Sequence, residues 1–143
     1  MHTIRQILAN KSTSCIFSIL PTATVYTAIE MMADKQVGAL LVMDKGRLLG
    51  IISERDYARE VILKGRSSKQ TDVEKIMSKK VITVHSQHRV NESLALMTEK
   101  RIRHLPVVDN GHVIGIISIG DLVKDVISDQ QSTIEQLENY IRG

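Results

Sequence analysis

The chain has 143 residues, 43% hydrophobic and 24% charged, with 19 basic side chains against 16 acidic ones and a net charge of +3. That balance suits one globular domain or two small halves sharing a core, and no apolar run approaches the roughly 20 residues of a membrane span. Interleaved charges, no Trp and one Phe argue against nucleic acid as a partner, and a single cysteine, Cys15, excludes an intrachain disulfide.

The first residues, Met1 to Leu8, lack the charged stretch and long apolar core of a secretory signal, so the expected setting is cytoplasmic. Ile4, Ile7 and Leu8 open a helix, and Ile16-Phe17-Ser18-Ile19 reads as a strand. Val25, Ala28, Ile29 and Met32 recur at helical spacing. Ala39 to Met43 and Leu48 to Ile52 are apolar runs of strand length, joined by Asp44-Lys45-Gly46 as a tight turn. Gly50 interrupts the second run, which implies a bulge or a close approach of backbone. Ser53-Glu54-Arg55-Asp56 then opens a helix.

This order recurs. Val25 to Tyr57 aligns with Val90 to Leu122 at an offset of 65 without a gap, with identities that include Met32/Met97, Leu40/Leu105, Gly50/Gly115, Ser53/Ser118 and Asp56/Asp121. Upstream, Ile16 to Ile19 matches Val81 to Val84, while Ile4, Ile7, Leu8 and Lys11 match Val73, Ile76, Met77 and Lys80 at 69, so the first repeat carries four extra residues near Ser12 to Cys15. The fold class is therefore α/β (α+β): two pseudo-symmetric repeats, each a small three-stranded sheet with flanking helices. The expected boundaries are residues 1–64, a polar linker 65–72, residues 73–128, and a C-terminal helix 129–143. Ser132 and Glu135 in that tail have capping-box spacing, and Ile134, Leu137 and Ile141 form a stripe fit to dock on its own domain or on a second subunit. Neither repeat, at roughly 65 residues, buries much apolar surface alone, so the two should share a core about a pseudo-twofold.

Gly50-Ile51-Ile52-Ser53-x-x-Asp56 and Gly115-Ile116-Ile117-Ser118-x-x-Asp121 each pass from strand to helix. One reading is structural: the serines cap and the aspartates favour the helix dipole. The other is binding: free N–H groups and a hydroxyl suit phosphate, and a carboxylate accepts ribose hydroxyls. Other chemistry finds no support. His85 and His88 have no cysteine or acidic neighbour, so no metal is expected. No histidine is matched to either serine for nucleophilic catalysis, and no Gly-x-x-x-x-Gly-Lys loop occurs, so no enzyme and no catalytic cofactor are expected.

The duplicated Gly-Ile-Ile-Ser-x-x-Asp and the run Arg101-Ile102-Arg103-His104-Leu105-Pro106-Val107-Val108-Asp109 resemble a stand-alone pair of CBS domains, the Bateman module named after cystathionine β-synthase. The resemblance covers residues 4 to about 127. It implies a regulatory sensor that binds AMP, ADP, ATP, NAD-type or S-adenosyl ligands in clefts between the repeats, works as a homodimer and acts on an unidentified effector protein. An NAD-type sensor and an interaction module with vestigial clefts are the alternatives. Carried over by position, Asp121 and Ser118 meet ribose, Arg103 and His104 meet phosphate, and Ala28, Val37 and Gly38 flank adenine. The pseudo-symmetric site uses Asp56, Ser53 and Arg55, with Thr83 and Ile102 beside the base; Arg55 or Lys80 is the candidate for the phosphates of one site. Gly38-Ala39 stand where the second repeat has Arg103-His104, so the two sites should differ in affinity.

Overall fold

The computed structural model describes residues 2–11 and 16–142; the extra residues near Ser12 to Cys15 lie outside the described residues. In chain order the elements are α1 (Ile4–Asn10), β1 (Ser18–Ile19), α2 (Val25–Lys35), β2 (Ala39–Asp44), β3 (Arg47–Ser53) and α3 (Glu54–Tyr57, prolonged by a wider π turn over Ala58–Ile62). A 3-10 turn (Val73–Lys75) follows, then α4 (Val90–Lys100), β4 (His104–Asp109), β5 (His112–Ser118) and α5 (Ile119–Arg142). Two compact units result: a middle unit, Ile16–Ile82, and an outer unit that joins Met1–Cys15 to Thr83–Gly143.

Each unit is built around a hairpin. β2 and β3 are antiparallel, as are β4 and β5, and each pair turns through two residues of positive φ: Lys45 (51°) with Gly46 (75°), and Asn110 (51°) with Gly111 (78°). Successive left-handed residues match the right-handed twist of the strands, and Asn110 suits the first position better than Lys45 does. Val42 pairs with Gly50 and Met43 with Leu48, so Leu49 is an extra, bulged residue; Val107, Gly115, Val108 and Val113 leave Ile114 in the same way.

The helices against these hairpins bury one face each. α2 starts where Thr24 Oγ1 accepts the Thr27 N–H at 3.2 Å, ends at left-handed Gln36, and buries Val25, Ala28 and Met32. α4 starts where the Glu92 side chain accepts the Arg89 N–H at 3.1 Å, ends at left-handed Arg101, and buries Val90, Ser93 and Met97. The core of the middle unit gathers these α2 residues with Ile19, Leu40, Val42, Ile52, Val61, Val73 and Ile76.

The repeats part company where the expected strand Val81 to Val84 should lie. β1 runs parallel to β2 and completes a three-stranded sheet, whereas only Val84 bridges β4, at Val107. The chain leaves the sheet at once because Asp109 captures the Ser86 N–H (3.0 Å) and hydroxyl (2.5 Å). The helix expected from Val73, Ile76 and Met77 is likewise cut to its single turn, since Ser78 exchanges two backbone hydrogen bonds with Ile51 in β3 (2.9 and 3.1 Å).

The two repeats exchange their opening segments. α1, first in the chain, packs on β5 and α5 of the outer unit, with Leu8 against Gly115. In the middle unit the matching residue of the second repeat, Met77, lies against Gly50. Thr3 bridges Arg89 at the start of α4, as Asp72 bridges Thr24 at the start of α2.

The tail departs from expectation. No separate helix begins near residue 129; α5 is continuous, and Ser132 and Glu135 fall inside it. The chain has neither Gly nor Pro between Asp121 and Arg142 to interrupt the ladder, so the capping signal has no free N–H groups to serve. Nor does the stripe dock on its own domain: Ile134, Leu137 and Ile141 are exposed. No described helix is long and apolar enough to cross a membrane.

Candidate functional site

Both return strands end at the serine of the repeated motif. Ser53 pairs with Ala39 and Ser118 with His104 across the hairpins. The next residue ties the helix start to the opposite strand: the Glu54 N–H donates to the Gly38 carbonyl (3.1 Å) and the Ile119 N–H to that of Arg103 (2.8 Å). Gly38-Ala39 and Arg103-His104 thus occupy equivalent places beside a helix N-terminus.

Each serine and aspartate close a reciprocal ring. The Asp56 N–H donates to Ser53 Oγ (3.2 Å), while the Ser53 N–H (2.9 Å) and hydroxyl (3.0 Å) both donate to Asp56 Oδ2. The Asp121 N–H donates to Ser118 Oγ (3.2 Å), and the Ser118 N–H to Asp121 Oδ2 (2.8 Å). The capping reading is therefore satisfied, and it leaves chemistry over: among the described residues every hydrogen bond to either carboxylate falls on Oδ2, so Oδ1 keeps its acceptor capacity.

The charge around the two rings differs. Lys11, on the chain just after α1, sends Nζ to the Ile116 carbonyl (2.9 Å) and to Asp121 Oδ2 (3.0 Å). Burial alone would raise Asp121, but the Ser118 N–H, the Lys11 ammonium and the Ser118 hydroxyl together hold its carboxyl below the usual range. No ion-pair partner reaches Asp56 among the described residues, and burial pushes it up against the weaker pull of Ser53 and the Arg59 charge. Burial also lowers His104; the Asp121 charge opposes this, while Lys11 and Arg103 add to it. His104 is thus a neutral ring at pH 7.

These opposite shifts predict opposite pH behaviour. Asp121, lowered on folding, stabilises the fold above the ordinary carboxylate value of about 3.9 and loses that contribution as pH falls through its folded value. Asp56, raised on folding, contributes below about 3.9 and loses it as pH rises through its folded value, so ionised Asp56 is unfavourable in the unligated protein at neutral pH. Thermal midpoints at pH 7 should therefore fall for Asp121→Asn and hold or rise for Asp56→Asn, and the gap should close as pH drops below about 4. Midpoints that shift alike at pH 7 would contradict this.

The outer unit thus brings together Asp121, Ser118, Arg103 and His104, with Arg103 exposed and His104 half-buried. Lys11 completes the group and was not among the expected residues; its alignment with Lys80 was the available signal. In the middle unit Ser53 and Asp56 meet, Arg55 is exposed on the first turn of α3, and Lys80 is exposed. Of the remaining expected residues, Val37 and Gly38 are half-buried and Ala28 is fully buried in α2, while in the outer unit Thr83 is exposed and Ile102 half-buried. Ser93, which matches Ala28 at the offset of 65, carries a buried hydroxyl without a hydrogen-bond partner among the described residues. Sequence reasoning passed over it as one more helical residue.

Comparison with known proteins identifies the family and the fold. The CBS domain model matches residues 4–63 and 73–128. The chain is similar to the mitochondrial CBS domain-containing protein CBSX3 of Arabidopsis thaliana, 45% identical over 125 residues that cover 84% of this chain and 61% of that protein. It is also similar to YhcV of Bacillus subtilis, 30% identical over 84% of this chain and 85% of that one. The chain spans about three fifths of the Arabidopsis protein and about a quarter of another Arabidopsis relative, CBSCBSPB1. Among solved structures, a CBS-domain protein from Burkholderia ambifaria matches with a TM-score of 0.86 and 54% identity, over 90% of this chain and 96% of that one. The CBS pair of MJ0100, solved with 5′-methylthioadenosine and S-adenosylmethionine, shares the fold at a TM-score of 0.79 and 23% identity, over 90% and 98% of the two chains. With both hairpins, both serine–aspartate rings and more than three quarters of its length accounted for by two CBS domains, the chain belongs to the CBS domain family.

Proposed function

We propose that this chain is a non-catalytic regulatory module that binds an adenine nucleotide, AMP, ADP or ATP, with the ribose on Asp121 and on Asp56. The observation that carries the reading is the pair of matched rings, each leaving one carboxylate oxygen open at a helix N-terminus. Arg103, Lys11 and the neutral ring of His104 supply donors for phosphate in the outer unit; Arg55 and Lys80 would do so in the middle unit. The adenine-flanking roles of Ala28, Val37, Gly38, Thr83 and Ile102 rest on the family pattern. With its three basic groups the Asp121 site is the tighter of the two. Binding shifts an equilibrium between conformations or partners by the difference in affinity for its states. The module works in the cytoplasm as a homodimer, and its output passes to another protein.

The test is thermal unfolding of nucleotide-free protein with AMP, ADP, ATP, NAD, NADH and S-adenosylmethionine in turn. A midpoint rise with a mononucleotide supports the reading. A rise with NAD or NADH alone would replace it by dinucleotide sensing. No rise with any ligand would sink it, leaving an interaction module with vestigial clefts.

A further inference from the structure

α5 has two faces of different fate. Leu122 is fully buried and Asp125 half-buried, with Asp125 Oδ1 bonded to His2 Nδ1 at 2.5 Å, so this side of the helix lies on its own unit. The other side carries Val123 (42% exposed), Ile127 (49%), Ile134 (54%), Leu137 (58%) and Ile141 (82%). Their spacing is that of a heptad seam, with Ile127, Ile134 and Ile141 at a and Val123, Gln130 and Leu137 at d. Leu122 and Asp125 fall at c and f, so the seam points away from the unit that anchors the helix.

We infer that a second copy of this chain covers the seam, α5 against α5 and antiparallel. The choice of partner and direction comes from charge. Of the flanking positions, Lys124, Gln131 and Glu138 line one edge and Val126, Thr133 and Tyr140 the other; only Lys124 and Glu138 are charged, with opposite sign and on the same edge. In an antiparallel pair like edges face each other, so Lys124 meets the second copy's Glu138, twice by symmetry. A parallel pair would set Lys124 against Ile119 and Glu138 against Thr133, leaving both charges without a partner. The antiparallel register places Val123 opposite Ile141, Ile127 opposite Leu137 and Gln130 opposite Ile134, and the overlap of residues 123–141 spans about 28 Å of helix. Apolar side chains on five of the six seam positions supply the adhesion, while Gln130 disfavours registers that would set it against a second Gln130.

This inference rests on the homodimer proposed above and supplies its surface. Sedimentation of the full chain should give twice 16.0 kDa for the wild type and 16.0 kDa for Ile134→Glu/Leu137→Glu. Both side chains are exposed, so circular dichroism of the double variant should match the wild type. Lys124→Glu and Glu138→Lys should each weaken the dimer roughly tenfold, and the two together should restore it. A monomeric wild type would overturn the homodimer and this surface together. A dimer that survives Ile134→Glu/Leu137→Glu would overturn this surface alone. Single charge reversals without recovery in the pair would overturn the antiparallel arrangement.

Discussion

Asp121→Ala should abolish most of the nucleotide-dependent rise in melting temperature. A ligand at 1,000 times its dissociation constant adds about 4 kcal/mol per site, which in a domain of this size moves the midpoint by roughly 8–16 °C. The ribose hydroxyls lose their acceptor in this variant, and Lys11 loses its carboxylate partner while it keeps the Ile116 carbonyl. The response has to be read as the difference with and without ligand for each variant, because Asp121→Ala also shifts the unligated midpoint. Asp56→Ala should remove the smaller part of the response. The reverse pattern, a full response in Asp121→Ala and none in Asp56→Ala, would reassign the tighter site to the middle unit and detach Lys11, Arg103 and His104 from phosphate.

Gly50→Ala should destabilise the protein by about 1–3 kcal/mol, the usual penalty for overpacking a close contact. A Cβ on Gly50 would lie 2.7 Å from Met77 Sδ and 2.8 Å from the Ser78 carbonyl oxygen. That oxygen is fixed by its hydrogen bond to Ile51, so the strand and the Ser78 segment must separate. Gly115→Ala meets only Leu8, whose Cδ2 would be 2.7 Å away. A leucine end can rotate, and the lost freedom of the unfolded glycine returns about 0.4–1 kcal/mol, so this substitution should come out near neutral. Urea midpoints of the two variants check the difference. Equal losses would mean that Leu8 is held as firmly as the Ser78 backbone.

Much of this architecture was legible in the chain. Asp-Lys-Gly and Asp-Asn-Gly announced the hairpin turns, because few residues tolerate two successive positive φ angles. Gly50 and Gly115 signalled a bulge or a close approach, and the structure has a bulge beside each glycine and a close neighbour on it. The serine–aspartate motifs were legible because strand end, cap and carboxylate are all local. What escaped was non-local. Lys11 reaches Asp121 across 110 residues of chain, and its alignment with Lys80 marks the position without naming that partner. The shortened strand before Val84 depends on Asp109 capturing Ser86, and the curtailed turn at Val73 depends on Ile51 pairing with Ser78. Local patterns favoured regular elements at both places, and tertiary hydrogen bonds cut them short.

The exchange of opening segments bears on how the chain is made. The middle unit is continuous, so its parts are all available once residue 82 has been synthesised. The outer unit needs residues from both ends, and α1 must wait for β5, more than a hundred residues later, before Leu8 can reach Gly115. Loop closure over that length is slow, and it sets the order of events on the ribosome: middle unit first, outer unit last. A chain permuted to begin at residue 16, with its old ends joined by a linker, would make the outer unit continuous as well. It should reach the same native structure faster.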